Sequence, residues 1–154
     1  MQQYIKEVYI KGFKKFRNFN AKLNNDLNII IGDNESGKSS FLEAINITIN
    51  QIYKNTDKSY LEDLFNKEDI EVFNANPDLT TLPKIIINIV IDIEDVPKNI
   101  DYFGANHSLI SGSKEMYGIE FKCELEKQTA IDLTTEIKSG KIPFEYYTLS
   151  WNGF

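Results

Sequence analysis

The strongest constraint on this chain is eight residues long. Gly32-Asp33-Asn34-Glu35-Ser36-Gly37-Lys38-Ser39 fits the pattern G-x-x-x-x-G-K-[ST] at every fixed position. It follows a short apolar run, Leu27-Asn28-Ile29-Ile30-Ile31, and precedes a segment in which Phe41, Leu42, Ile45, Thr48, Ile49 and Ile52 recur every three or four residues. The apolar run, ending on a glycine, predicts a strand covered on both faces and therefore the centre of a sheet. The periodic segment predicts an amphipathic helix of about four turns, in spite of its β-branched residues. Strand, glycine loop and helix together form the context that a phosphate-binding loop requires. Gly32 and Gly37 let the backbone curl so that successive N–H groups point inward as an anion nest, and the helix adds the positive end of its dipole. In such a loop Lys38 sets its ammonium against the β- and γ-oxygens of a nucleotide, and the Ser39 hydroxyl ligates Mg²⁺. Asn34 is spaced to reach a γ-phosphate or an attacking water.

Composition narrows the setting. A chain of 154 residues with net charge −6, 42% hydrophobic and 12% aromatic residues has the balance of one globular domain, which excludes disordered and fibrous classes. A domain of this size buries roughly 68 to 70% of the surface of its unfolded chain, so it needs no disulfide staple. Cys123 is the single cysteine and has no partner for an internal bridge, as expected in a reducing compartment. The apolar run over residues 85–93 is interrupted by Asn88 and Asp92 and falls short of the roughly 18 to 20 residues of a membrane span. Glu7 and Lys11 break any signal-peptide core. These features predict a cytoplasmic protein with no membrane partner. Charge is unevenly spread: residues 1–41 carry +3 and the remainder −9, which puts any anion-handling end at the N-terminus.

The remaining patterns are those of an α/β chain. Val8 and Ile10 alternate with Tyr9 and Lys11 up to Gly12; Phe19, Ala21 and Leu23 alternate with Asn18, Asn20 and Lys22 up to a turn at Asn24-Asn25-Asp26. Two half-buried antiparallel strands are predicted there. Asp57 is placed to cap a short helix over residues 59–65, and Asn74-Ala75-Asn76-Pro77-Asp78 has the chemistry of a loop. Residues 85–94, 118–126 and 145–151 alternate like strands of an antiparallel sheet with one wet face. Residues 104–118 read as a loop and residues 131–138 as a short helix ending at Gly140. No repeat or linker divides the chain, so residues 1–154 form one domain.

The text around the loop carries a resemblance. Lys15-Phe16-Arg17-Asn18-Phe19, followed by the run from Leu27 through Gly37-Lys38-Ser39-Ser40-Phe41-Leu42-Glu43-Ala44-Ile45, resembles the N-terminal end of ABC-type ATPases of the RecF, SMC and OLD group. Asp63-Leu64-Phe65-Asn66, Leu82-Pro83-Lys84-Ile85-Ile86-Ile87 and Pro143-Phe144-Glu145-Tyr146-Tyr147 leading to Trp151 look like the N-terminal ATPase region of OLD-family ATP-dependent endonucleases. The resemblance implies a P-loop NTPase lobe of ABC type, a mixed sheet around the helix after the loop with an antiparallel β layer. It implies ATP and Mg²⁺ as cofactors, bound by Gly32, Asp33, Asn34, Glu35, Ser36, Gly37, Lys38, Ser39 and Ser40. Lys38 carries the catalytic role and Ser39 the metal. Arg17 and Asn18 take positions whose family counterparts lie beside the nucleotide. It further implies a partial domain, completed in the intact protein by a C-terminal lobe and a Toprim nuclease domain, with a second ATPase head as homodimer partner. DNA processing or phage defence would follow, with DNA engaged only by the full-length protein.

Two segments imitate the missing catalytic parts. Ile89-Val90-Ile91-Asp92-Ile93-Glu94-Asp95 has the form of a hydrophobic strand ending in a metal-binding acid, which opens a second reading: a self-contained small-molecule kinase using Asp92. That reading needs residues 85–91 parallel and adjacent to residues 27–31. Its alternation instead predicts a half-solvated strand. Leu109-Ile110-Ser111-Gly112-Ser113-Lys114-Glu115 loosely matches an ABC signature, but a half-charged segment follows it and a loop is the better account. His107 has no cysteine or carboxylate at ligand spacing. A third reading is a non-catalytic interaction domain that keeps the loop as an anion site.

Overall fold

The structure, a computed structural model, describes residues 3–53, 57–93, 103–104, 107, 109–110 and 116–154. Among the described residues its scaffold is a sheet of six strands: β1 (Gln3–Phe13), β2 (Phe16–Lys22), β3 (Ile85–Ile93), β4 (Phe103–Gly104), β5 (Met116–Glu124) and β6 (Thr148–Gly153). The order is β2-β1-β3-β5-β4, with β6 also on β5, and each pairing is antiparallel. Register explains the core. Val8 lies opposite Ile89 and Ile10 opposite Ile87, while Ile87 and Ile89 face Phe121 and Ile119 on β5. Alternation along each strand therefore puts one apolar row on one face of the sheet. Onto this row packs α1 (Lys38–Asn50) through Phe41, Ala44 and Ile47. Buried Thr48 is tolerated because its hydroxyl donates back to the Ala44 carbonyl at 2.8 Å.

Smaller elements close the edges. Asp57 accepts from the Ser59 N–H at 2.9 Å and starts a 3-10 turn over Lys58–Leu64, as its position predicts. The next helix, α2 (Lys67–Ala75), is absent from the sequence expectations, and it draws Asn74 and Ala75 out of the predicted loop. Only Phe73 of this helix is buried, which is too little to show a period; its cap, Asn66, is the stronger sign. The helix expected over residues 131–138 is two short ones, α3 (Lys127–Asp132) and α4 (Thr134–Lys138), closed by Gly140 at φ +100°. No helix among the described residues is long and apolar enough to cross a membrane.

Two expectations are overturned. Residues 27–31 form no strand: Leu27, Ile29 and Ile31 are 69%, 73% and 87% exposed. An apolar run becomes a buried central strand only where other strands flank it, and among the described residues β2 closes the sheet's edge instead. The sheet is also not wet on its second face at β3 and β5. Ile86, Asn88, Val90, Gly118 and Glu120 are buried there. The polar members are satisfied internally: Asn88 donates to Glu120 at 2.7 Å and accepts the Leu109 N–H at 3.0 Å, and Lys122 pairs with Glu120 at 2.7 Å. Alternation of polarity is thus real, but the polar row is covered and hydrogen-bonded instead of solvated.

The kinase arrangement is not built. β3 runs antiparallel between β1 and β5, away from any parallel pairing with residues 27–31, and Asp92 accepts the Tyr4 hydroxyl at 2.9 Å. Glu94, Asp95 and residues 111–115 of the two imitating segments lie outside the described residues. Cys123 is core, as its apolar face predicts. His107 lies outside the strands and helices but is buried, its Nδ1 3.0 Å from the Ile110 carbonyl and its ring edge-on to Phe154.

Candidate functional site

The glycine loop sits at the N-terminus of α1, and its geometry follows from its glycines. Gly37 has φ +94°, the left-handed region, and it precedes the first helical residue, Lys38. A methyl group there would also lie 3.0 Å from the Phe16 ring, so the hairpin tip packs directly on the loop. Gly32 is required by contact: a methyl group would lie 2.3 Å from the Ser36 hydroxyl. Between them the chain turns at Asp33, whose carbonyl accepts both the Ser36 N–H, at 3.0 Å, and the Ser36 hydroxyl, at 2.8 Å. The Lys38 ammonium donates across the loop to the Gly32 carbonyl.

Helix α1 begins with its donors uncapped. No side chain caps it, and its hydrogen-bond ladder opens with the Phe41 N–H on the Gly37 carbonyl at 2.8 Å. The N–H groups of Lys38, Ser39 and Ser40 stand outside that ladder, beside the lysine ammonium. Oriented N–H groups, the helix dipole and one fixed cation are the elements that hold a phosphate group. Ser39 is exposed in the first turn, and its hydroxyl has no partner among the described residues, so the hard oxygen that Mg²⁺ takes is available. Asp33, Asn34 and Glu35 are exposed along the loop, and Ser40 is half-buried.

Two grooves flank the loop. One, of about 410 Å³, separates residues 28–31 from the hairpin and is lined by Phe16, Phe19, Phe41 and Lys38. The other, of about 510 Å³, lies between the hairpin tip, the start of α1 and the start of α2, with Lys14, Lys15, Ser40, Phe65, Lys67 and Glu68 on its walls. Arg17 is held by the first turn of α2, whose Glu68 lines the second groove: its Nε donates to Asp69 at 3.0 Å and its Nη1 to Glu68 at 3.3 Å. Asn18, one residue out of step, pairs with Lys11 on the sheet face away from α1. Glu68 and Asp69 lie beyond sequence reasoning, because only the fold brings α2 to the hairpin tip; the local sign is the Asn66 cap that starts α2.

A mixed α/β chain with a glycine loop feeding an uncapped helix N-terminus has the form of a phosphate-binding, nucleotide-type domain. Comparison with known proteins gives the family: residues 4–153 match the model of the AAA ATPase domain, and the chain belongs to that family. Two curated relatives are similar over 54 residues, 34% of this chain and 4% of each relative's length. They are the structural maintenance of chromosomes protein 3 of Arabidopsis thaliana, 41% identical, and that of Saccharomyces cerevisiae, 46% identical. Among solved structures, one reported under "Structural biochemistry of ATP-driven dimerization and DNA stimulated activation of SMC ATPases" aligns with 97% of this chain and 70% of its own, at 16% identity and a TM-score of 0.43. The protein is therefore an AAA-type ATPase domain with SMC-like sequence relatives, and such a domain binds ATP, typically with Mg²⁺.

Proposed function

We propose that the chain is the ATP-binding lobe of an OLD-like ATP-dependent endonuclease acting in DNA processing or phage defence. The observation that carries the ATP site is the left-handed Gly37 opening onto the uncapped N-terminus of α1, with the Lys38 ammonium beside it. In this reading the backbone from Gly32 to Ser40 cradles the β-phosphate, and Lys38 neutralises charge on the transferred group. The metal, held through Ser39, would add its own positive charge at the phosphate oxygens. Asn34 orients the terminal phosphate or the attacking water. Arg17 contacts phosphate or base.

The exposed run at residues 27–31 supports a partial domain. Three isoleucines and a leucine at a sheet edge are the flank that a C-terminal lobe would cover, and a second head would complete the catalytic set across a dimer. DNA would then be engaged by the full-length protein. A lobe without those parts binds nucleotide and turns it over hardly at all.

Calorimetric titration of Mg-ATP into the chain and into Lys38→Ala, with phosphate release followed in parallel, tests this. Lys38-dependent binding without turnover is expected. Binding that is indifferent to Lys38 would overturn the site, and Lys38-dependent turnover by the isolated chain would overturn the half-site reading in favour of a self-sufficient hydrolase.

A further inference from the structure

We propose that Asp69 is a positioning residue: it orients the Arg17 guanidinium for the nucleotide bound at the phosphate loop. The inference rests on the ATP-site reading above and deepens it. Its first support is the rigidity of the mount. Asn66 accepts the N–H groups of Glu68 and Asp69 at 3.1 and 3.4 Å, donates its side-chain amide to the Lys14 carbonyl at 2.7 Å, and donates its own N–H to the Gly12 carbonyl at 2.9 Å. The first turn of α2 is thereby fixed to the tip of the β1–β2 hairpin, the same tip that packs on Gly37.

The second support is the space made for the carboxylate. Gly12 has φ +71°, and a methyl group on it would lie 3.3 Å from the Asp69 carboxylate and 2.1 Å from the Lys84 carbonyl. A side chain here would clash outright with the Lys84 carbonyl and crowd the Asp69 Oδ2 by a few tenths of an ångström, so the bare glycine leaves the carboxylate its room. From that seat the Asp69 Oδ1 takes the Arg17 Nε–H at 3.0 Å. Glu68 adds a looser contact at 3.3 Å; its side chain is 67% exposed, against 22% for Asp69. Asp69 is the member that sets the orientation.

The third support is what remains free. A guanidinium presents five N–H donors in a rigid plane, so holding Nε fixes the direction of the others. Two are used, and three have no partner among the described residues. They belong to a side chain tied to Glu68, which lines the groove beside Lys15 and Ser40. An arginine held in this way loses less conformational freedom when it meets a phosphate than one that is free to rotate.

The test is calorimetric titration of Mg-ATP into the full chain and into Asp69→Ala, Asp69→Asn, Arg17→Ala, Arg17→Lys and the Arg17→Ala/Asp69→Ala pair, with Lys38→Ala as reference and melting midpoints recorded alongside. Asp69→Ala and Arg17→Ala should each weaken binding by about three- to tenfold, as expected for a charged hydrogen bond partly screened by solvent. The pair should lose no more than Arg17→Ala alone. Asp69→Asn should restore most of the affinity, since its amide oxygen still accepts from Nε. Arg17→Lys, a surface exchange that does not rely on the fold tolerating Asp69→Ala, should bind as weakly as Arg17→Ala. Asp69→Ala that melts earlier but binds ATP as tightly as the parent makes the pair a mere tether and overturns the inference; so do additive losses in the pair, or Arg17→Lys binding like the parent. In those cases Lys38→Ala still abolishes binding and the site stands. Failure of Lys38→Ala to weaken binding removes the site, and the inference with it.

Discussion

Trp151 donates its indole N–H to the main-chain carbonyl of Ile47 at 3.0 Å, so the last strand of the sheet braces the helix that carries the phosphate loop. The contact falls where it is needed. Carbonyls in the last turn of a helix have no partner within the helix, and α1 ends on Gln51 at φ 52° with no basic residue in its last turn. Trp151→Phe keeps an aromatic ring beside Phe121 but removes the donor. It should lower stability by about 0.5–1.5 kcal/mol, read from the urea midpoint by circular dichroism. An unchanged midpoint would show that solvent serves the carbonyl as well as the indole does.

Gly37→Ala should damage the loop for two independent reasons. The φ of +94° penalises any side chain by about 1 kcal/mol or more, and the new methyl group would press on Phe16 at 3.0 Å. ATP affinity should fall along with stability. Adding Phe16→Ala relieves the contact but not the dihedral, so the double variant should recover only part of the loss. Full recovery would mean that contact alone explains the glycine.

What was legible in the sequence is what local chemistry decides. The loop, α1, the strand pairs of the hairpin and the Asp57 cap all follow from spacing and residue type within a short window. Cover is a different matter, because a neighbour supplies it. The run at residues 27–31 has the composition of a central strand yet lies exposed, and β3 has the alternation of a half-wet strand yet is buried on both faces. In the first case no strand flanks the run among the described residues; in the second, Leu109 and the Asn88–Glu120–Lys122 network cover the polar row. The Arg17–Asp69 contact spans 52 positions and depends on a helix with a single buried residue, so nothing in either local segment announces it.

Alkali should unfold the chain through two groups of the core. Burial pushes the Cys123 thiol from 9.0 up to about 12. Burial also pushes the Tyr147 hydroxyl above its usual value, and its proton is donated to the Pro83 carbonyl at 2.8 Å. Both folded-state values are raised, so the unfolded chain releases these protons first. The thiol's contribution is complete below about pH 9 and is lost as pH rises toward 12, and the hydroxyl's is lost over a higher range that begins near pH 10, each at up to about 1.4 kcal/mol per pH unit. Urea titrations between pH 8 and 11 should show this fall. Cys123→Ala should flatten its slope; an equal slope in the variant would remove the thiol as a cause.

Residues 27–31 should behave as an uncovered surface. Strands β1 and β3 have their amides in ladders on both sides, whereas no ladder bonds the amides of Ile29, Ile30 and Ile31. Hydrogen exchange at those three amides should approach the unprotected rate while Val8, Ile10, Ile87 and Ile89 remain protected. Ile31→Ser should change stability by less than about 0.5 kcal/mol, as a surface substitution does, and should reduce binding of a hydrophobic dye because Ile31 is 87% exposed. In a longer protein whose further lobe covers this edge, the same substitution becomes a core defect costing about 2 kcal/mol or more, because the isoleucine is then buried against a partner. Protection of these amides in the isolated chain would show that some strand already pairs with them, and the edge would then offer a second lobe no place to dock.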